Sequence, residues 1–377
     1  MLPWHKTPLM ATATLPSAAT MTYSPAKAAG RMGRAWLFGP YVDLLCVANV
    51  LWPLLVFFLW LQVPQLTRML TFWQVYLIST PHRWITLALV YMDRDRFSER
   101  PRSFVGIGLA VTLGVLAFYF TTGTLWLLLV ADYLWNAWHF AAQHSGIARI
   151  YARSARPDDV RGALLEKFVL RGFILFVIFR LAGLPLDGSE SIPSTGCSLF
   201  LDQPRTLLEC SILSAHREYA SFWARIAWVD WLALLLPAYL LVRDLNGARA
   251  ADRGRIIYLT SVCGFYSTLL LTMHYGLTSW NLALAFTSSV FHALEYLAIV
   301  SWAVDKKHGR NEKSLFGRLV PRWGLTLVGF MCSLALIGAA LNDFAMEVWL
   351  IATVIVSFLH YAYDGMIWKA RRPASGK

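Results

Sequence analysis

The stretch MEVWLIATVIVSFLHYAYDGMIW, residues 346–368, decides how this chain is read. A helix rises 1.5 Å per residue, so about 20 apolar residues cross a hydrocarbon core of about 30 Å. This segment is long and apolar enough to do so, yet it carries His360 and Asp364 one helical turn apart. A charged side chain at mid-membrane costs about 2.5–3.5 kcal/mol on insertion scales and is functional by default. The stretch therefore predicts a membrane helix that bears part of a site.

The rest of the chain agrees with that reading. Of its 377 residues, 57% are hydrophobic and only 15% charged, where soluble domains average about 25% charged. The net charge of +12 is strongly basic. The Lys and Arg residues lie between apolar segments, which marks cytoplasmic loops and argues against nucleic acid as a partner. Residues 1–34 are rich in Pro, Ala, Thr and Ser, hold no acidic residue, and lack the continuous apolar core of a signal peptide. They read as a disordered cytoplasmic tail. Residues 35–372 read as one transmembrane domain and 373–377 as a second short tail.

About ten segments have spanning length: 38–61, 70–93, 104–120, 124–149, 164–185, 221–243, 256–275, 280–304, 320–341 and 346–369. The joins RDRFSERPR (94–102), RIYARSARPDDVR (149–161), RDLNGARAADRGR (243–255) and DKKHGRNEKSLFGR (305–318) are basic and fall at every second connection. By the positive-inside rule both termini are cytoplasmic. The expected fold is an all-α, polytopic bundle of about ten transmembrane helices, placed in a bacterial inner membrane. The outer loop 186–220 holds Cys197 and Cys210, which form either a disulfide in an oxidising periplasm or two free thiols. Cys46, Cys263 and Cys332 lie within spans and read as small packing residues.

Position along a span gives depth. His82, His139, His292 and His360 lie on four different spans at a similar, central depth. Gln143, Glu295 and Asp364 follow their histidines by four, three and four residues, which puts each on the same helical face one turn nearer the cytoplasm. His144 belongs to that layer too, but five residues from His139 it points well round the helix. Asp132, Asn136, His139 and Gln143 share one stripe. A lone membrane histidine is more often a helix–helix hydrogen-bonding residue than a ligand. Four at one depth, two of them with a carboxylate below, read as a metal or haem site, with a purely structural or proton-relay network as the alternative.

The candidate ligands are His82, His139, His144, His292, Glu295, His360 and Asp364. Imidazole with carboxylate favours iron, manganese or zinc, and bundled di-iron proteins pair Glu and His three residues apart. Non-haem iron, mononuclear or binuclear, is the expected cofactor, with haem or zinc as alternatives. Tyr296 and Arg83 are the candidate catalytic groups. Arg83 is deep and beside His82; it either neutralises Glu295 or Asp364 or holds an anionic head group. Arg180 and Asp230 read as a structural pair in the outer half, and His274 as outside the site. Gly365 reads as a point of close helix approach.

A site at this depth is reached most easily sideways from the bilayer, so a lipid or isoprenoid is the expected substrate and an electron donor the expected partner. Iron there would activate dioxygen for hydroxylation, desaturation or oxidative cleavage. The layout resembles that of histidine-rich membrane iron enzymes: the desaturase/hydroxylase superfamily and the Brp/Blh type of carotenoid oxygenase. His139-x4-His144 is similar to one desaturase histidine box, with no HxxHH following, and the single histidines spread over several helices are similar to the Brp/Blh arrangement. The resemblance implies oxygen-dependent iron chemistry and covers layout alone. Four other classes stand beside it: a haem electron-transfer protein, a haem-copper oxidase, against which the lack of an adjacent His-His pair counts, an O-acyltransferase using Asn136/His139 or His360/Asp364, and a proton-coupled transporter.

Overall fold

A computed structural model describes residues 35–61, 80–155, 159–183, 218–246, 252–305 and 320–367. Among the described residues the chain is helical and contains no strand. The N-terminal tail, the loop with Cys197 and Cys210, and the C-terminal tail fall outside them.

In chain order the helices are α1 (Pro40–Leu61), α2 (Thr80–Met92), α3 (Arg94–Glu99), α4 (Pro101–Thr122), α5 (Trp126–Ala155) and α6 (Val160–Ala182). They continue as α7 (Glu218–Arg225), α8 (Val229–Asn246), α9 (Arg253–His274), α10 (Thr278–Asp305), α11 (Trp323–Phe344) and α12 (Met346–Ile367). Local chemistry sets several of the ends. Pro101 opens α4, where its missing N–H is an orphan donor anyway, and Gly123 closes it in the left-handed region at φ 67°. Asp159 caps α6 by accepting from the Gly162 N–H at 2.8 Å.

Six of these helices, α1, α4, α9, α10, α11 and α12, are long and apolar enough to cross a bilayer, and α7 with α8 makes a seventh if that pair is one span. They fit a multi-pass membrane protein. Only 17% of the apolar stretch of α4, and of that of α11, is buried within the protein. In water such helices would expose long apolar faces; in a bilayer the same faces meet lipid.

Two expected spans are not continuous helices. α1 runs as a π-helix over Asp43–Val47 and breaks at 48–51, just before Pro53, which cannot donate to the preceding turn. The Asp43 carboxylate accepts from the N–H groups of Leu37 and Phe38 at 2.7 and 3.0 Å and from the Tyr151 hydroxyl at 2.8 Å. Those bonds pin the chain ahead of α1 against α5. The expected span at 221–243 bends by 72° between α7 and α8. α2 is described from Thr80 onward, with Pro81 as its second residue.

The main apolar core gathers α1, α5, α6, α8, α9 and α10 around Leu170, Phe173, Tyr258, Phe265 and Tyr266. A second group is formed by α12 packed on α2, α4 and α11. The two meet where α12 packs on α5 and α10 on α2. Arg180 and Asp230 pair at 3.4 Å as expected from the sequence, and His274 joins them with Nδ1 3.1 Å from the same Asp230 oxygen. Of the cysteines read as packing residues, Cys263 is buried, whereas Cys332 is exposed on α11.

Candidate functional site

The seam between the two helix groups is where the four histidines converge. His82 comes from α2, His139 from α5, His292 from α10 and His360 from α12. Ring centroids lie 5.2 Å apart for His82–His292 and His82–His360, 4.9 Å for His139–His292 and 4.6 Å for His139–His360. His292 and His360 are fully buried and His82 nearly so.

Donor atoms fall into two overlapping groups with metal-binding spacing: His82, His292 and His360, and His139, His360 and Asp364. In the second, the two Nε2 atoms are 3.0 Å apart, and Asp364 Oδ2 is 3.9 Å from His139 Nε2 and 3.8 Å from His360 Nε2. The centre of that triangle lies about 2.1 Å from each atom, which is the bond length of a zinc-class cation to imidazole or carboxylate. Two imidazoles and one carboxylate are also the donor set of mononuclear non-haem iron centres.

A hydrogen-bond chain behind the ligands favours one tautomer of His360 when Tyr296 donates to Asp364. Its Nδ1 is 2.7 Å from Thr86 Oγ1, Thr86 Oγ1 is 2.5 Å from the Tyr296 hydroxyl, and Tyr296 donates to Asp364 Oδ1 at 2.7 Å. With Tyr296 committed to the carboxylate, the short contact between the two hydroxyl oxygens needs the proton of Thr86. Thr86 is then an acceptor from His360 Nδ1–H, and the Nε2 lone pair of His360 faces the centre. One lone pair serves one ion, so the two donor groups that share His360 are two sides of a single site.

His292 gives a separate indication. Its ring lies flat on Phe140, at 3.8 Å between centroids and 11° between planes. Neither ring nitrogen finds a hydrogen-bond partner among the described residues. An unsatisfied buried polar group costs about 1–3 kcal/mol, and an ion held with His82 and His360 would satisfy one of these two nitrogens.

The remaining sequence-derived candidates lie beside this centre. Glu295 and His144 pair with each other, Nδ1 to Oε1 at 3.1 Å, and both are fully buried. Gln143 donates to Glu295 at 2.9 Å and to the His292 carbonyl at 2.9 Å, so it bridges the two clusters. His144 Nε2 turns away, 3.1 Å from the Tyr266 hydroxyl. Neither Glu295 nor His144 belongs to either donor group. Arg83 does not pair with Glu295 or Asp364: it donates to Ser357 and lies 3.8 Å from Asp132. The Tyr361 hydroxyl sits between Asp132 Oδ1 at 3.0 Å and Asn136 Oδ1 at 3.1 Å, so the stripe on α5 does face α12. Tyr296 is in contact with the centre through Asp364 and Thr86. Sequence reasoning passed over Thr86 and Ser357. Thr86 stands four residues after His82, on the same face of α2, which is the signal that could have found it.

From the centre a cavity of about 640 Å³ runs along α5 between α10 and α12. His139, Tyr296 and Asp364 line its inner end, Arg149 and Arg153 its other end, and between them the lining is apolar apart from Gln143. Gly365 borders it, and nothing lies within 4 Å of a Cβ built there, so this glycine makes room for the cavity and not for a neighbouring helix.

No family matches the chain, and comparison with curated proteins and with solved structures finds no match either.

Proposed function

We propose that this chain is an integral membrane oxidoreductase that holds one non-haem iron ion among His82, His139, His292, His360 and Asp364 and acts on a lipid or isoprenoid. The observation that carries the reading is His292, a fully buried imidazole with two orphan nitrogens at the focus of three more histidines. The donor triangle supports it, since its centre is at metal-bond length from all three donor atoms. Bound iron of this kind supplies dioxygen activation for hydroxylation, desaturation or oxidative cleavage.

The protein's own part is positional. Thr86 holds the His360 tautomer, Phe140 holds the plane of His292, and Tyr296 carries a proton on its hydroxyl beside Asp364. Gln143 keeps the buried Glu295–His144 pair out of the donor set. The 3.0 Å contact between His139 and His360 has the length of an N–H···N bond as well, but such a bond does nothing for His292, one of whose nitrogens an ion would satisfy. The rings also touch edge to face, with no gap between facing imidazoles for a haem macrocycle, which favours a bare ion.

Elemental analysis of detergent-purified protein, from iron-replete cells and with its visible spectrum, tests this. About one iron per chain with no Soret band, lost in His292→Ala, is the expected result. A Soret band would move the histidines to axial ligands, and zinc alone would move the chemistry to hydrolysis. No metal at all would hand the site to the acyltransferase or transporter class.

A further inference from the structure

We infer that the cavity beside the histidine centre takes a single-chain amphiphile with an anionic head, a carboxylate or a phosphate, its head at Arg149 and Arg153 and its chain pointing at His139 and Asp364. This deepens the proposed function and rests on it only for the fate of the inner end of the chain; the binding itself needs no metal.

The geometry sets the orientation. His139, Gly146, Arg149 and Arg153 recur at helical spacing down one face of α5, and all four line the cavity. Ten residues separate His139 from Arg149, or about 15 Å of helix, which an extended acyl or isoprenoid chain of moderate length would span. A volume of about 640 Å³ is in the range of small-molecule sites. Ala142, Ile147 and Ile299 make the apolar wall along with one polar residue, Gln143, while Trp135 and Trp138 border the inner end and Ile150 the outer. Trp135, Trp138 and Ile150 stay exposed, so the cavity opens sideways to the surface that would face lipid.

Charge separates the two ends. At the basic end of the bundle, Arg243 and Arg255 are spent on Glu166 and Asp244, four groups locked in one network. Arg149 and Arg153 find no carboxylate among the described residues and instead border the cavity. The acidic residue lining the cavity is Asp364, at the opposite end. An anionic head is therefore attracted at the arginines and repelled at depth, while the chain matches the aromatic and aliphatic wall.

Two kinds of variant separate head from chain. Arg149→Gln/Arg153→Gln removes both cations. Gly146→Leu fills the cavity from within: nothing lies within 4 Å of a Cβ at Gly146, so the added side chain meets open space and not a packed neighbour.

The experiment is equilibrium binding of radiolabelled palmitate and of hexadecanol, the same chain without charge, to the detergent-purified full chain. Lysophosphatidylglycerol serves as competitor. Thermal unfolding and metal content are measured on every preparation. Saturable palmitate binding is expected to weaken at least tenfold in the double glutamine variant and to be lost in Gly146→Leu, with unfolding temperature unchanged. Hexadecanol should bind more weakly than palmitate and be indifferent to the arginine changes. Displacement by lysophosphatidylglycerol identifies a phosphate head, and failure to displace a carboxylate one. Equal binding of the two chains, undiminished palmitate binding without the arginines, undiminished binding in Gly146→Leu, or binding of neither anion would overturn the inference. Palmitate binding that persists in a metal-free His292→Ala protein would leave this inference standing while the metal content judges the proposed function separately.

Discussion

Thr86→Val isolates the part of the site that a metal needs and a mere polar cluster does not. Valine matches threonine in shape, so the packing between α2 and α12 is kept while one hydroxyl is lost. That hydroxyl makes three contacts: His360 Nδ1 at 2.7 Å, Tyr296 at 2.5 Å and Asp364 Oδ1 at 3.4 Å. Without it, the Nδ1–H of a fully buried imidazole has no acceptor, and the other tautomer, with its proton on Nε2, becomes competitive. That proton would point at the metal position. Loss of such a supporting bond costs about 10–100-fold in metal affinity, or about 1.4–2.8 kcal/mol. The assay is competition for iron or zinc against a chelator of known affinity, with Thr86→Ser as the control that restores the hydroxyl. Valine should weaken binding by one to two orders of magnitude and serine by much less. Unchanged affinity in Thr86→Val would refute the tautomer argument. Equal weakening by valine and serine would show that shape, not the hydroxyl, is what Thr86 provides.

Glu295→Gln should retain metal at the wild-type level, because Glu295 binds His144 and Gln143 rather than the donor set; loss of metal by elemental analysis would put it back among the ligands. Chelation should lower the unfolding temperature of the wild type, as a ligand at 100 times its Kd stabilises by about 2.7 kcal/mol, and should leave that of His292→Ala unmoved. Arg255→Met breaks a buried network with Glu166 and Asp244, which costs about 3–5 kcal/mol when one partner is removed; a thermal scan in detergent should show a large loss, and Arg225→Ala on the exposed side of α7 none. Tyr151→Phe removes one of the three donors to Asp43, so limited proteolysis near residues 35–39 should speed up while metal content stays constant.

The helices were the legible part of the fold. Long apolar runs bounded by basic joins mark them, and each expected span overlaps a described helix. The interruptions were not legible. Asp43, the first residue of the π-helical stretch of α1, meets Tyr151 more than a hundred residues away, and hydropathy averages over such a contact. The bend before α8 lies in a run as apolar as its neighbours. The basic end differs in another way: Asp244 and Arg255 stand in the join 243–255, yet they are buried, as is Glu166 at the start of the expected span 164–185. Burial of a loop-edge charge is decided by which helices pack together, and sequence patterning does not carry that.

Why the histidine coincidence was readable at all follows from the solvent. In water, equal position along four helices says little about adjacency, because any polar face can turn outward. In hydrocarbon an outward polar group has no partner, so polar residues must turn inward. Four helices with polar groups at one depth then have their best contacts with each other, and depth comes to predict neighbourhood. The same logic accounts for the error over Arg83. It had to find an anion, and the sequence suggested the carboxylates one turn below the histidines. The long side chain of Arg83 instead reaches Asp132 on α5, together with Ser357 and the face of Tyr361. Glu295 in turn had His144 and Gln143 from α5 beside it. With Glu295 committed to α5 and Arg83 to Asp132, Asp364 is the carboxylate left facing the imidazoles, and that separation supports a centre built for one ion rather than two.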